Sequence, residues 1–222
     1  MDNKWDILLS KFRNLGGVAE NVFQKEGELG RGIFSENPKL RSRIFTPYNL
    51  MIKKEDICLD GNNLRIKSDS SYCQKTREFF NYYQDHFSWG RGGKETTESF
   101  EKGLRLFHSY LKKLIKKNLL VDIEERHLGD WDEIILREFL KARAFKFNKS
   151  SMICPLLELV NHDVISLSFI IKTDGISTPY YPPINGELTH NYNNKSSINR
   201  FFYQGFFSEE TIVFSVPFSI LI

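Results

Sequence analysis

The spacing of apolar residues changes twice along this chain, and that change limits the folds open to it. Near the N-terminus Trp5, Leu8 and Phe12 recur at helical spacing, and Gly16-Gly17 predicts the stop. Asp2 is placed to cap the start. Short extended pieces follow at Asn21 to Lys25, Leu29 to Ser35 and Arg43 to Thr46. They are punctuated by Gly27, Gly30, Gly32, Pro38 and Pro47. In the middle the period returns to helical. Phe80, Tyr83 and Phe87 predict a helix over Lys75 to Phe87, closed by Trp89-Gly90-Arg91-Gly92-Gly93. Phe100, Leu104, Phe107, Leu111 and Leu114 predict a long amphipathic helix with Thr96 or Thr97 as its cap. A third starts at Asp130, with Trp131, Ile135, Phe139 and Ala142 as its stripe.

After about residue 150 the strand pattern resumes. Ile165, Leu167, Phe169 and Ile171 alternate, which predicts a strand with one buried face. Gly186 to Tyr192 and Thr211 to Val216 read as further strands, with a short helix over Ser197 to Gln204. Strands, then helices, then strands again predict an α+β fold with a helical insertion, not a βαβ series.

Chemistry narrows the class by exclusion. Cys58, Cys73 and Cys154 are too widely spaced for a zinc site, and they read as free, buried thiols of a reducing compartment. A net charge of +3 is too mild to imply nucleic acid. The basic run Arg105, Lys112, Lys113, Lys116 and Lys117 reads as the solvated side of the long helix, without the interleaved aromatics of an RNA-binding face. The N-terminus lacks an apolar signal core and no apolar run is long enough to span a membrane, so a soluble, cytoplasmic protein is expected. The 19 phenylalanines predict an aromatic-rich interior.

Three polar segments interrupt the apolar pattern. The first is Glu28-Leu29-Gly30-Arg31-Gly32, whose glycines allow close backbone approach. The second is the apolar run Pro155 to Val160, containing Glu158 and ending in Asn161-His162-Asp163. The third is Gly186-Glu187-Leu188-Thr189-His190-Asn191-Tyr192, followed by Gln204-Gly205-Phe206. Each alone reads as a turn, a core histidine or a strand. In this order, with Arg143-Ala144-Phe145 just before the second, they resemble the SET domain of protein methyltransferases, in its Rubisco large-subunit methyltransferase-like branch. The opening Asn14-Leu15-Gly16-Gly17 is similar too, so the resemblance covers nearly the whole chain.

The resemblance implies a β-clip of short strands with pseudoknot-like C-terminal threading and an inserted helical block. Residues 1–222 would form one SET domain: an N-terminal part to 70, the insertion over 71–145, and a catalytic part over 146–222. The chain stops at Ile222, where related enzymes carry a C-terminal substrate-binding domain. The implied cofactor is S-adenosyl-L-methionine, leaving as S-adenosyl-L-homocysteine. The family pattern places Glu28, Leu29, Gly30, Arg31, Gly32, Glu158, Asn161, His162, Tyr192 and Phe206 around it. It makes Tyr192 the catalytic phenol, and sets Arg143, Phe145 and Gln204 along a substrate channel. The implied activity is methyl transfer to a protein lysine, without a metal. Gln204 stands where the branch usually has tyrosine, and one variation there accompanies a histidine acceptor. A histidine methyltransferase and a non-catalytic binding module are therefore the alternatives. A ribosomal or other nucleic-acid-bound protein is a substrate that suits the modest basic patch, without direct nucleic-acid binding by the chain.

Overall fold

The structure is a computed structural model that describes residues 3–27, 30–37, 39–61, 63–88, 143–163, 166–179 and 186–191, with Glu133, Leu136, Arg137, Phe139 and Leu140. The long helix expected over 100–114, the short helix over 197–204 and the terminal strand over 211–216 lie outside the described residues.

The first helix, α1, spans Lys4–Asn14 and buries Leu8, Leu9 and Phe12. Its end is a Schellman arrangement. Gly17 N–H donates to the Phe12 carbonyl at 3.0 Å and Gly16 N–H to that of Arg13 at 3.0 Å, with Gly16 at φ 89°. A left-handed residue is needed there, and glycine takes that conformation without steric cost. The second helix, α2, spans Gln74–His86. Phe79 and Tyr83 join the main core with Phe12, Leu50, Met51 and the Cys154-to-Val160 run. Phe80 joins a second cluster with Ile52, Ile57, Leu64, Phe139, Leu140 and Ile153. α2 thus belongs to both cores. Its N-terminal turn is tied down by Arg77, whose guanidinium donates to the carbonyls of Ile66, Lys67, Ser70 and Tyr72.

The strands form small sheets, almost all antiparallel. β1 (Val18–Glu20), β4 (Arg43–Pro47), β12 (Gly175–Ser177) and β11 (Ile170–Ile171) form one, in that order. β5 (Ile52–Lys53), β9 (Ser150–Ile153) and β8 (Ala144–Phe147) form another, and β6 (Ile57–Asp60) with β7 (Asn63–Ile66) is a separate hairpin. A further four-stranded sheet contains β10 (Asn161–His162), β13 (Glu187–His190), β3 (Gly30–Ser35) and β2 (Val22–Gly27). Its β10–β13 pair is parallel.

The starts of α1 and α2 and the strands β2, β3, β4 and β13 fall within a residue or two of the expected bounds, while the helix starts expected at Thr96 or Thr97 and at Asp130 lie outside the described residues. The strand expected from the alternation of Ile165 to Ile171 does not form as such. Among its described residues only Ile170–Ile171 is paired as a strand. Among the described residues of that stripe Leu167 and Ile171 are exposed, and Phe169 alone is partly buried against the core. The reason is local: Phe169 N–H donates to the His190 ring instead of to a strand, and its own ring stacks on that histidine. The thiols differ too. Cys154 is buried as expected, but Cys58 is half-buried and Cys73 is exposed at the start of α2. Among the described residues no helix is long and apolar enough to cross a membrane.

Close packing of the first sheet is testable at Gly175. A Cβ there would collide with the Thr46 carbonyl oxygen and stand 2.7 Å from the Phe45 ring. Backbone cannot move aside as a side-chain end can. Gly175→Ala is expected to cost about 1–3 kcal/mol, read as a lowered midpoint in urea unfolding with unchanged slope.

Candidate functional site

The four-stranded sheet around β3 brings together segments that are remote in sequence. β2 and β3 form a continuous hairpin from Val22↔Ser35 to Gly27↔Gly30. β13 adds to the other edge of β3, with Glu187 opposite Phe34 and Leu188 opposite Ile33. β10 then lies parallel to β13, with Asn161 beside Thr189 and His162 beside His190. The three polar segments therefore occupy neighbouring strands.

Their side chains meet at one point. Asn161 Nδ2 donates to Glu187 Oε1 at 2.7 Å. A Cβ on Gly32 would collide with that same Glu187 oxygen and stand 2.7 Å from the Asn161 nitrogen. Glycine at 32 is thus what lets the amide–carboxylate pair lie against the β3 backbone. Alternation along β13 places Glu187 and Thr189 half-buried on this polar face, and Leu188 and His190 buried on the other.

On the opposite face an aromatic group assembles. The His190 and Phe169 rings stack at 3.6 Å between centroids and 8° between planes. Phe145, on β8, lies 5.4 Å from Phe169 and 6.3 Å from His190. The Phe169 N–H donates to His190 Nδ1 at 3.2 Å, so the neutral ring carries its proton on Nε2.

Glu158 sits in a short 3-10 turn, Leu157–Leu159, just before β10. Its side chain is fully excluded from solvent. Oε1 accepts a hydrogen bond from Ser88 Oγ at 2.6 Å, and Arg143 Nη1 lies 3.7 Å from Oε2. The Arg143 guanidinium also stacks over the Phe139 ring at 4.6 Å. Burial, and after it the Glu158 carboxylate, pushes the Cys154 thiol well above the usual range. That thiol is therefore an inert, protonated wall of the turn.

Of the residues singled out in the sequence, Gly32, Asn161 and the backbones of Gly30, Arg31 and His162 are brought to this one sheet. Phe145 lies in the aromatic group behind it. Glu158 and Arg143 are turned toward each other. Glu28, Leu29, Tyr192, Gln204 and Phe206 lie outside the described residues. Sequence reasoning gave no role to Glu187, His190 or Ser88. The period-two pattern of β13 could have flagged the first two, because it separates Glu187 from the buried His190. Nothing local marks Ser88.

No family model and no curated protein matches the sequence. The fold does match solved structures. One is the SET domain of LSMT bound to lysine and AdoHcy, with TM-score 0.50 and 13% identity over 94% of this chain and 58% of that one. Another is Rubisco LSMT bound to AdoMet, with TM-score 0.53 and 15% identity over 94% of this chain and 57% of that one. A third is Rubisco LSMT bound to sinefungin and monomethyllysine, with TM-score 0.51 and 15% identity over 94% and 57%. The chain therefore has the SET-domain fold of the LSMT type, and spans 57–58% of the length of these structures.

Proposed function

We propose that this chain is an S-adenosylmethionine-dependent protein-lysine N-methyltransferase. The observation that carries the reading is the junction of Gly32, Asn161 and Glu187, which three remote segments build at one point of a SET-type fold. The donor set suits the methyl donor. Bare backbone at Gly30 and Gly32 lies beside a half-exposed carboxamide and a carboxylate, a match for a ligand with an amino-acid end and a positive sulfonium. The similar LSMT structures are bound to AdoMet, AdoHcy, lysine and monomethyllysine, which supports the same pairing of ligands here.

In this reading Glu28 to Gly32, Asn161 and His162 surround the donor and Phe206 packs on its adenine, while the Glu158 carboxylate, buried against Ser88 and Arg143, does not touch it. When bound, the donor supplies an electrophilic methyl carbon on a sulfonium. Tyr192 is the catalytic phenol, and with neighbouring carbonyls it orients the attacking nitrogen. The Asn161–His162 strand passes beneath a loop formed by the Tyr192 segment, as in a pseudoknot. Phe145 walls the substrate channel, which Arg143 and Gln204 also line. A lysine with pKa near ~10.4 is neutral only about once in 2,500 at pH 7, a penalty of roughly 4–5 kcal/mol. A dry aromatic wall beside a positive sulfonium disfavours the ammonium and lowers that penalty. The whole of 1–222 acts as one domain, with a helical insertion over 71–145. The partner is a cytoplasmic protein substrate, with a ribosomal protein as one class that suits the mild basic charge.

Titration calorimetry with S-adenosylmethionine tests the reading first. A dissociation constant on the order of 1–100 µM is expected, within the ordinary range for enzyme substrates. Absence of binding at millimolar ligand overturns the proposal. Labelled methyl transfer to lysate proteins then separates an enzyme from a binding module. Mass spectrometry of the labelled residue separates lysine from histidine, the alternative that the departure at Gln204 raises.

A further inference from the structure

Ser88 follows α2 and Arg143 precedes β8, so the two residues bracket positions 89–142. Both meet one carboxylate, from opposite sides. Ser88 Oγ donates to Glu158 Oε1 at 2.6 Å, and Arg143 Nη1 stands 3.7 Å from Oε2. The carboxylate is wholly buried, and Oε2 has no hydrogen-bond partner among the described residues. Arg143 is itself held from behind by the Phe139 ring at 4.6 Å. A buried ion pair with an unfilled acceptor is a poor source of stability, and an apolar side chain of similar size would often do better. What the charge supplies is geometry: one point to which both flanks of 89–142 are bound.

That point is close along the chain to the polar junction. Glu158 is three positions before Asn161, inside the turn that leads to β10. The turn begins at Leu156, which is buried and adopts φ 67° and ψ −43°, a strained conformation for a branched side chain. Surrounding contacts must hold such a residue. Leu156, Leu157 and Leu159 pack into the core, and between them Glu158 bonds Ser88 and faces Arg143.

We propose that Glu158 is a positioning residue: it ties the chain on both sides of residues 89–142 to the turn that delivers Asn161 to the sheet. Its effect on methyl-donor affinity rests on the function proposed above, whereas the tie itself does not. Changes at the flanks of 89–142 then reach the Asn161–Glu187 pair through this carboxylate.

The test compares Glu158→Gln, Arg143→Gln and the double variant with the unaltered chain. Glutamine keeps an acceptor for Ser88 but removes the charge facing Arg143. By hydrogen exchange, amides of 83–88 and 144–153 are expected to exchange about tenfold faster in Glu158→Gln, with the β6–β7 hairpin unchanged. By calorimetry, S-adenosylmethionine binding is expected to weaken about fivefold in either single variant, with the double variant no worse than the weaker single. Unchanged exchange at 144–153, or equal acceleration everywhere including β6–β7, overturns the tie. Additive losses of affinity overturn the joint action of the pair. If Glu158→Gln fails to fold, Ser88→Ala removes only one hydroxyl. It must then speed exchange at 83–88 and 157–161 selectively, or the proposal fails. If the unaltered chain binds no methyl donor, the exchange result still decides the tie, and only the proposed function falls.

Discussion

Gly32→Ala is expected to lower methyl-transfer kcat/KM by about 10²-fold while leaving the protein folded. The added methyl collides with Glu187 Oε1 and crowds Asn161 Nδ2. Both are ends of flexible side chains, so they can swing away, and β3 can keep its pairing with β2 and β13. What is lost is the 2.7 Å pair between them, and with it the position of the Asn161 carboxamide. A displacement of about 1 Å at a group that holds a reactant is enough for a loss of this size. Thermal unfolding should shift by only a few degrees, the scale of about 1 kcal/mol in a domain of this length. Calorimetry and initial rates measure the functional part. Unaltered affinity and rate in a well-folded Gly32→Ala would mean that the junction does not serve ligand binding.

The second large effect is expected at Tyr192, which follows β13 by two positions in the chain. Removing one phenolic oxygen in Tyr192→Phe should lower the rate of methyl transfer by about 10²–10³-fold, the usual scale for one preorganised polar group at a transition state. S-adenosylmethionine affinity should stay within about twofold, because a group acting mainly in the transition state contributes little to ground-state binding. This split separates Tyr192 from Gly32, whose substitution lowers affinity and rate together. A Tyr192→Phe enzyme with full rate would remove the phenol from the mechanism.

Much of the local structure was legible because periodicity reports which face of an element is buried. Trp5, Leu8 and Phe12 announce α1, with Gly16-Gly17 closing it by a left-handed cap that needs no tertiary partner. Phe80 and Tyr83 announce α2, and the extended runs around Gly30–Ser35 and Glu187–His190 announce β3 and β13. The order of the polar motifs pointed to the SET-type fold that the structural likeness supports. Period-two alternation from Leu167 to Ile171 misled, because a ring stack between Phe169 and His190 took that backbone out of the strand pattern.

Periodicity and residue type therefore set the kind of each element and the groups that bear chemistry. Which of them touch follows from the way the sheets and helices pack. Asn161 finds Glu187 across the parallel β10–β13 pair, with Gly32 against both, and Glu158 finds Ser88 and Arg143 inside the protein. Such pairings join segments far apart along the chain. They depend on strand order and register across whole sheets, and no local run of side chains encodes those.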